Sequence, residues 1–157
     1  MKYFLILLLF ANCQTKTIMQ QEPVITYALR LKPGEDLKQQ LEAFVAEKQI
    51  QAGWMITCVG SLTQYHLRFA NQPAGSKVNG HFEIVSLTGT LSVYGSHLHI
   101  SVSDSTGRTI GGHLLDGNLI YTTAEIVIGE SKELVFTRER DGTTEWKEFQ
   151  IKKRSAL

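Results

Sequence analysis

From Val24 onward, all but one of the apolar runs in this chain have the length and period of β-strands, and that pattern excludes most folds. Val24–Leu31 is rich in β-branched and aromatic residues. Segments 54–59, 64–70, 82–93, 97–103, 109–115, 119–128, 132–138 and 145–152 read the same way, separated by Gly, Asn and Asp turns. The exception follows the break at Pro33-Gly34. There Leu37, Leu41, Phe44 and Val45 recur at helical spacing, with Glu35 and Asp36 in a first turn where the helix dipole favours acids. This spacing predicts one amphipathic helix of roughly four turns. One helix among seven or more strands, most of them consecutive, predicts an α+β domain in which a largely antiparallel sheet wraps on or around that helix. A chain of 157 residues, 43% of them hydrophobic, can bury one such core without disulfides.

The N-terminal residues do not share this pattern. Met1-Lys2 gives a positive start, Tyr3 to Ala11 is an unbroken apolar run, and Cys13 follows. A run of roughly ten apolar residues is too short to span a bilayer and fits the hydrophobic region of a signal peptide. Cys13 makes residues 1–13 similar to a bacterial lipoprotein signal, in which the cysteine is the lipid attachment point. Asn12 departs from the small residue usual before such a cysteine, so the segment speaks for export more than for lipidation. Residues 14–22 are polar and read as a tether, and 23–153 as the domain. These features predict an exported, cell-envelope protein, periplasmic or lipid-anchored, touching the membrane only through this segment; if 1–13 is instead no signal, the protein is cytoplasmic. Cys58, the one cysteine inside the domain, lies in an apolar strand and reads as a small buried hydrophobe with no thiol chemistry.

The sharpest local signal is His97-Leu-His-Ile-Ser-Val-Ser103. Leu98, Ile100 and Val102 fall on one face; His97, His99, Ser101 and Ser103 fall on the other. Asp104-Ser-Thr-Gly107 suits a type I turn with Gly107 left-handed, which pairs Asp104 with Arg108. Counting from that pair sets Val102 opposite Ile110, Leu98 opposite Leu114 and His99 opposite His113. A two-residue loop would turn Ile110 and Leu114 to the polar face, so the apolar pattern selects this register. Opposed Cβ atoms about 5 Å apart allow His97, His99 and His113 to converge on one zinc-sized ion with an open fourth position. The alternative is that these histidines decorate a polar face or hydrogen-bond across a subunit contact. Gly111 and Gly112 leave room for a ligand or a neighbouring chain near the backbone. His66 and His81 have no such geometry and read as ordinary surface or core residues. Glu83 and Glu125, acids in otherwise apolar strands, are candidate partners that would orient the histidines from behind.

Taken together, His97-Leu-His-Ile-Ser-Val-Ser-Asp104, Gly107 and Gly111-Gly-His-Leu114 resemble the signature of the Plants and Prokaryotes Conserved (PPC) domain. Arg30-Leu-Lys-Pro-Gly-Glu-Asp-Leu37, Gly60-Ser-Leu62, Gly80-His-Phe-Glu-Ile-Val-Ser-Leu-Thr-Gly89 and Thr123-Ala-Glu-Ile-Val-Ile128 match the same pattern in the same order. The resemblance covers about residues 24–138, and it implies a curved, largely antiparallel sheet, a homotrimer and a metal site carried by His97, His99 and His113. It also lends a DNA-binding label, because plant members carry an AT-hook before the domain. This sequence has no Arg-Gly-Arg-Pro element and balances 16 Lys+Arg against 15 Asp+Glu, for a net charge of +1. Its basic cluster, Lys152-Lys-Arg154, reads as a solvated tail, so nucleic acid is not the expected partner. Three functional readings result. The first is a non-enzymatic, exported trimer holding a divalent metal, zinc by ligand type. The second is a metal-dependent hydrolase of unknown substrate using the same site. The third is a DNA-binding protein, whose affinity would fall steeply with salt.

Overall fold

The computed structural model describes residues 24–155. The signal segment 1–13 with Cys13 and the tether 14–22 lie outside the described residues. The elements run β1 (Ile25–Leu31), α1 (Leu37–Lys48), β2 (Gly53–Arg68), β3 (Ser76–Leu91), β4 (His97–Ser103), β5 (Thr109–Leu114), β6 (Leu119–Glu130), β7 (Leu134–Glu139) and β8 (Glu148–Lys153). Every pairing between them is antiparallel. The architecture is the α+β class that the strand-rich pattern predicts.

Three expectations need correcting in detail. The helix has 12 residues, about three turns instead of four. Its start is set by Asp36, which stands outside the helix as N-cap and accepts hydrogen bonds from the Lys38 and Gln39 amides at 3.0 and 3.1 Å. Capping satisfies amides that the first turn leaves without partners, so Asp36 serves the backbone directly and not merely the dipole. Segments 54–59 and 64–70 are one strand, β2, because register shifts between Gly60 and Gln64 bend the chain without ending it. Strand β3 begins at Ser76, six residues before the expected position 82, since the polar stretch Ser76–His81 is held by pairing with β2, as in Tyr65 opposite Val78.

Six strands form one sheet in the order β1-β6-β2-β3-β4-β5. The far end of β2 also pairs with β5, placing Leu67 opposite Leu114 and Arg68 opposite His113. That second contact curls strands β2 to β5 into a closed end. The interior is filled by Leu62, Leu67, Leu91, Ile100, Val102, Ile120 and Ile126, all essentially without solvent contact. Helix α1 adds Leu37, Leu41 and Val45 from one face, at the i, i+4 spacing read from the sequence. Its entry is pinned by Leu37 N donating to Asn118 O and Ile120 N donating to Glu35 O, both at 2.9 Å.

The second sheet is the hairpin β7-β8. It docks where the helix leaves off: Phe136 N donates to Gln51 O at 2.8 Å, and the Ser92 hydroxyl donates to Phe136 O at 2.8 Å. This docking matters for the site, because it fixes Arg138 two residues further along β7.

Candidate metal centre

The β4–β5 hairpin is built by its turn. Asp104 Oδ1 accepts from the amide and hydroxyl of Thr106 at 2.9 and 2.6 Å and from the Arg108 amide at 3.1 Å. Asp104 N donates to Arg108 O at 3.0 Å, the pair expected from the turn type. Gly107 has φ +81°, the left-handed conformation that favours glycine. Val102 then faces Ile110 and His99 faces His113. Leu98, Ile100 and Val102 are buried, which leaves His97 and His99 on the opposite, outward face.

Three ring nitrogens meet on that face. His97 Nε2 is 3.2 Å from His113 Nδ1, and His99 Nε2 is 3.1 Å from each of them. The His97 and His113 rings stack with an interplanar angle of 11°, and His99 stands across them at 83° and 86°. A neutral ring nitrogen is either a donor or an acceptor. Among three nitrogens at least two must play the same role, so three mutual contacts cannot all be hydrogen bonds. A cation removes the conflict, because all three can then present lone pairs to it. Zinc–nitrogen bonds of about 2.0–2.1 Å in a tetrahedron set ligand atoms about 3.3 Å apart. The observed triangle would need only slight expansion for the three nitrogens to hold such an ion. The donor set therefore fits a zinc-like ion and fixes the tautomers: His97 and His99 would carry their protons on Nδ1, His113 on Nε2.

The electrostatics favour neutral imidazoles. Partial burial pulls the His97 pKa below its ordinary 6.5, helped by the positive charges of Arg138, the other two histidines and Arg68. His113 is shifted the same way by burial, then by Arg68 and His99. Neutral imidazole is the form that ligates metal.

Glu83 and Glu125 do not join the histidines. Glu83 is exposed on β3 between Ser61 and Ser103. Glu125 is exposed on β6 between Arg30 and Val59. Neither makes a hydrogen bond to a histidine among the described residues, and the group able to hold a metal consists of His97, His99 and His113 alone. The buried acid of β6 is instead Glu130, which accepts from Tyr27 Oη at 2.7 Å and from Lys132 Nζ at 2.7 Å. His66 is structural, its Nδ1 at 2.6 Å from Asp116 O, and His81 packs on the Tyr121 ring. The space beside Gly112 is filled by the chain itself: a Cβ there would lie 2.6 Å from Arg68 O. The glycine thus admits strand β2, not a ligand or neighbouring chain.

Residues that sequence reasoning missed complete the surroundings. His97 and His113 line a cleft of about 490 Å³ shared with Arg68, Arg138, Glu145, Trp146 and Glu148. Arg68 arrives there through the β2–β5 pairing and Arg138 through the docking of β7, two long-range contacts with no local sequence signal.

The profile of the Plants and Prokaryotes Conserved domain matches residues 19–132. The chain is 49% identical over 127 residues to the bifunctional protein GlmU of a Synechococcus strain, covering 81% of this chain and 20% of that protein. It is 30% identical to the AT-hook motif nuclear-localized protein 13 of Arabidopsis thaliana, over 66% of this chain and 26% of that one. The chain thus spans about a fifth to a quarter of the length of these curated relatives. A solved structure of a hypothetical protein from Salmonella enterica superposes with a TM-score of 0.84 at 43% identity, over 87% of this chain and 99% of that one.

Proposed function

The chain belongs to the Plants and Prokaryotes Conserved domain family, and on that premise we propose that it is a non-enzymatic metal-binding member that holds one divalent ion, zinc by ligand chemistry, on His97, His99 and His113. The observation that carries this reading is the triangle of ring nitrogens at 3.1–3.2 Å, an arrangement that hydrogen bonding alone cannot satisfy. Elemental analysis of the purified protein tests it. The expected result is about one zinc per chain in the wild type and none in His99→Ala; absence of metal from both overturns the reading.

The proposal extends to assembly and place. A homotrimer is supported by exposed apolar side chains on the outer sheet, with Ile56, Val59 and Val85 each at least half exposed. Export to the cell envelope is supported by the sequence of residues 1–13, and fractionation of cells producing the full chain tests it. A DNA-binding role draws no support from a net charge of +1. The hydrolase reading retains one observation in its favour, since Glu145 and Glu148 line the cleft beside His97 and His113. A carboxylate beside a metal-bound water is the usual general base of such enzymes.

A further inference from the structure

His97 and His113 line the cleft, and its other lining residues carry charges that metal binding leaves unused. Arg68 stands opposite His113 at the end of β2. Arg138 projects from β7 with its guanidinium carbon 6.0 Å from the centre of the Phe149 ring, a seat that holds the fork in place. Among the described residues neither guanidinium forms a salt bridge. Arg138 Nε is, among the described residues, the buried side-chain donor without a hydrogen-bond partner. A buried donor kept in that state calls for an acceptor that the chain itself does not supply.

Charge gives the acceptor its sign. Arg68, Arg138 and Lys147 line the cleft together with Glu145 and Glu148, a small cationic excess before any metal is counted. Glu148 already accepts the Thr144 hydroxyl. Three neutral imidazoles leave both charges of a divalent ion uncompensated and its fourth position open. Guanidinium forks match the geometry of carboxylate and phosphate oxygens.

On the metal-binding reading, we propose that this cleft takes a small molecule bearing an oxyanion, a carboxylate or phosphate group, which fills the ion's fourth position and accepts hydrogen bonds from Arg68 and Arg138. Trp146, 67% exposed in the cleft lining, offers a flat apolar face to the rest of the molecule.

Cobalt(II) substituted for zinc in the full chain gives visible absorption bands that report the set of ligands on the ion. Inorganic phosphate and acetate, titrated separately, distinguish the two oxyanion sources. The expected result is a saturable band change with at least one of them, weakened about tenfold or more in Arg138→Gln and in Arg68→Gln while cobalt uptake is unchanged. Arg138→Lys, which keeps the charge and loses the fork, should fall between wild type and Arg138→Gln. Cobalt bands that neither anion moves, as when Glu145 or Glu148 already occupies the fourth position, overturn this inference and leave the metal site standing. So do band changes of equal affinity in wild type and arginine variants. Failure to form cobalt bands at all overturns the metal reading, and this inference with it.

Discussion

At the scale of single residues, the imidazoles set a measurable pH dependence. His97 and His113 have folded-state pKa values below the ordinary 6.5, by burial first and then by neighbouring positive charge. The unfolded chain therefore takes up protons at these positions before the folded one does. Their contribution to stability is complete above about pH 6.5 and is lost as pH falls through the folded values. The thermal midpoint of the metal-free protein should accordingly drop between pH 7 and pH 5, and His97→Gln should make that slope shallower. Excess zinc should steepen it, because metal and protons compete for the same lone pairs. A slope unchanged by both the substitution and the metal would contradict the assignment. Cys58 makes the opposite case. Burial raises its thiol to about 12, so at pH 8 it should react with a thiol reagent only as fast as the protein unfolds. Prompt labelling of the native protein would show that the strand is open there.

At the scale of elements, what the sequence disclosed was the local hairpin, and what it withheld was closure. Asp104, Gly107 and the alternation of Leu98, Ile100 and Val102 are neighbours along the chain, so turn chemistry and period were enough to bring His99 opposite His113. The extents of β2 and β3 differ from the sequence expectation because Gly60 and the polar run Ser76–His81 look like breaks until a partner strand holds them. Glu125 looked unusual in an apolar strand, yet its side chain alternates outward, while Glu130 is fully buried against Tyr27 and Lys132. Period alone cannot reveal which end of a strand the fold covers. Closure also explains the second of the paired glycines. A methyl group at Gly112 would press on the Arg68 carbonyl, whereas at Gly107 it would meet open space and only left-handed strain. Gly112→Ala should therefore cost about 1–3 kcal/mol in denaturant unfolding and weaken zinc binding by displacing His113. Gly107→Ala should cost about 1 kcal/mol with zinc affinity intact. Equal effects of the two on zinc would mean that the β2–β5 contact does not position the site.

At the scale of the whole molecule, the family match and the cleft have different boundaries. The match ends at residue 132, short of β7 and β8, yet Arg138, Glu145, Trp146 and Glu148 all come from that hairpin or its connecting loop. The profile thus takes in the histidines, while much of their surroundings lies beyond its end. The opposite surface poses the question of assembly. Among the described residues, strand β1 is an edge of the main sheet. On the outer face beside it, Ala28, Thr57, Val59 and Val127 share a shallow hollow of about 500 Å³ in which Arg30 and Glu125 supply the charge. Val59 is 53% exposed on this face. Apolar side chains gathered on one sheet face are costly in water and favour cover by another copy; in the proposed ring of three that contact is heterologous, this face of one copy meeting a different face of the next. The wild type should therefore sediment as a trimer at micromolar concentration. Val59→Lys places a charge where the copies would meet, and it should sediment as a monomer with the fold and zinc content unchanged, because Val59 touches neither the core nor the histidines. A wild type that sediments as a monomer would remove the trimer proposal. A Val59→Lys trimer would move the interface to another face.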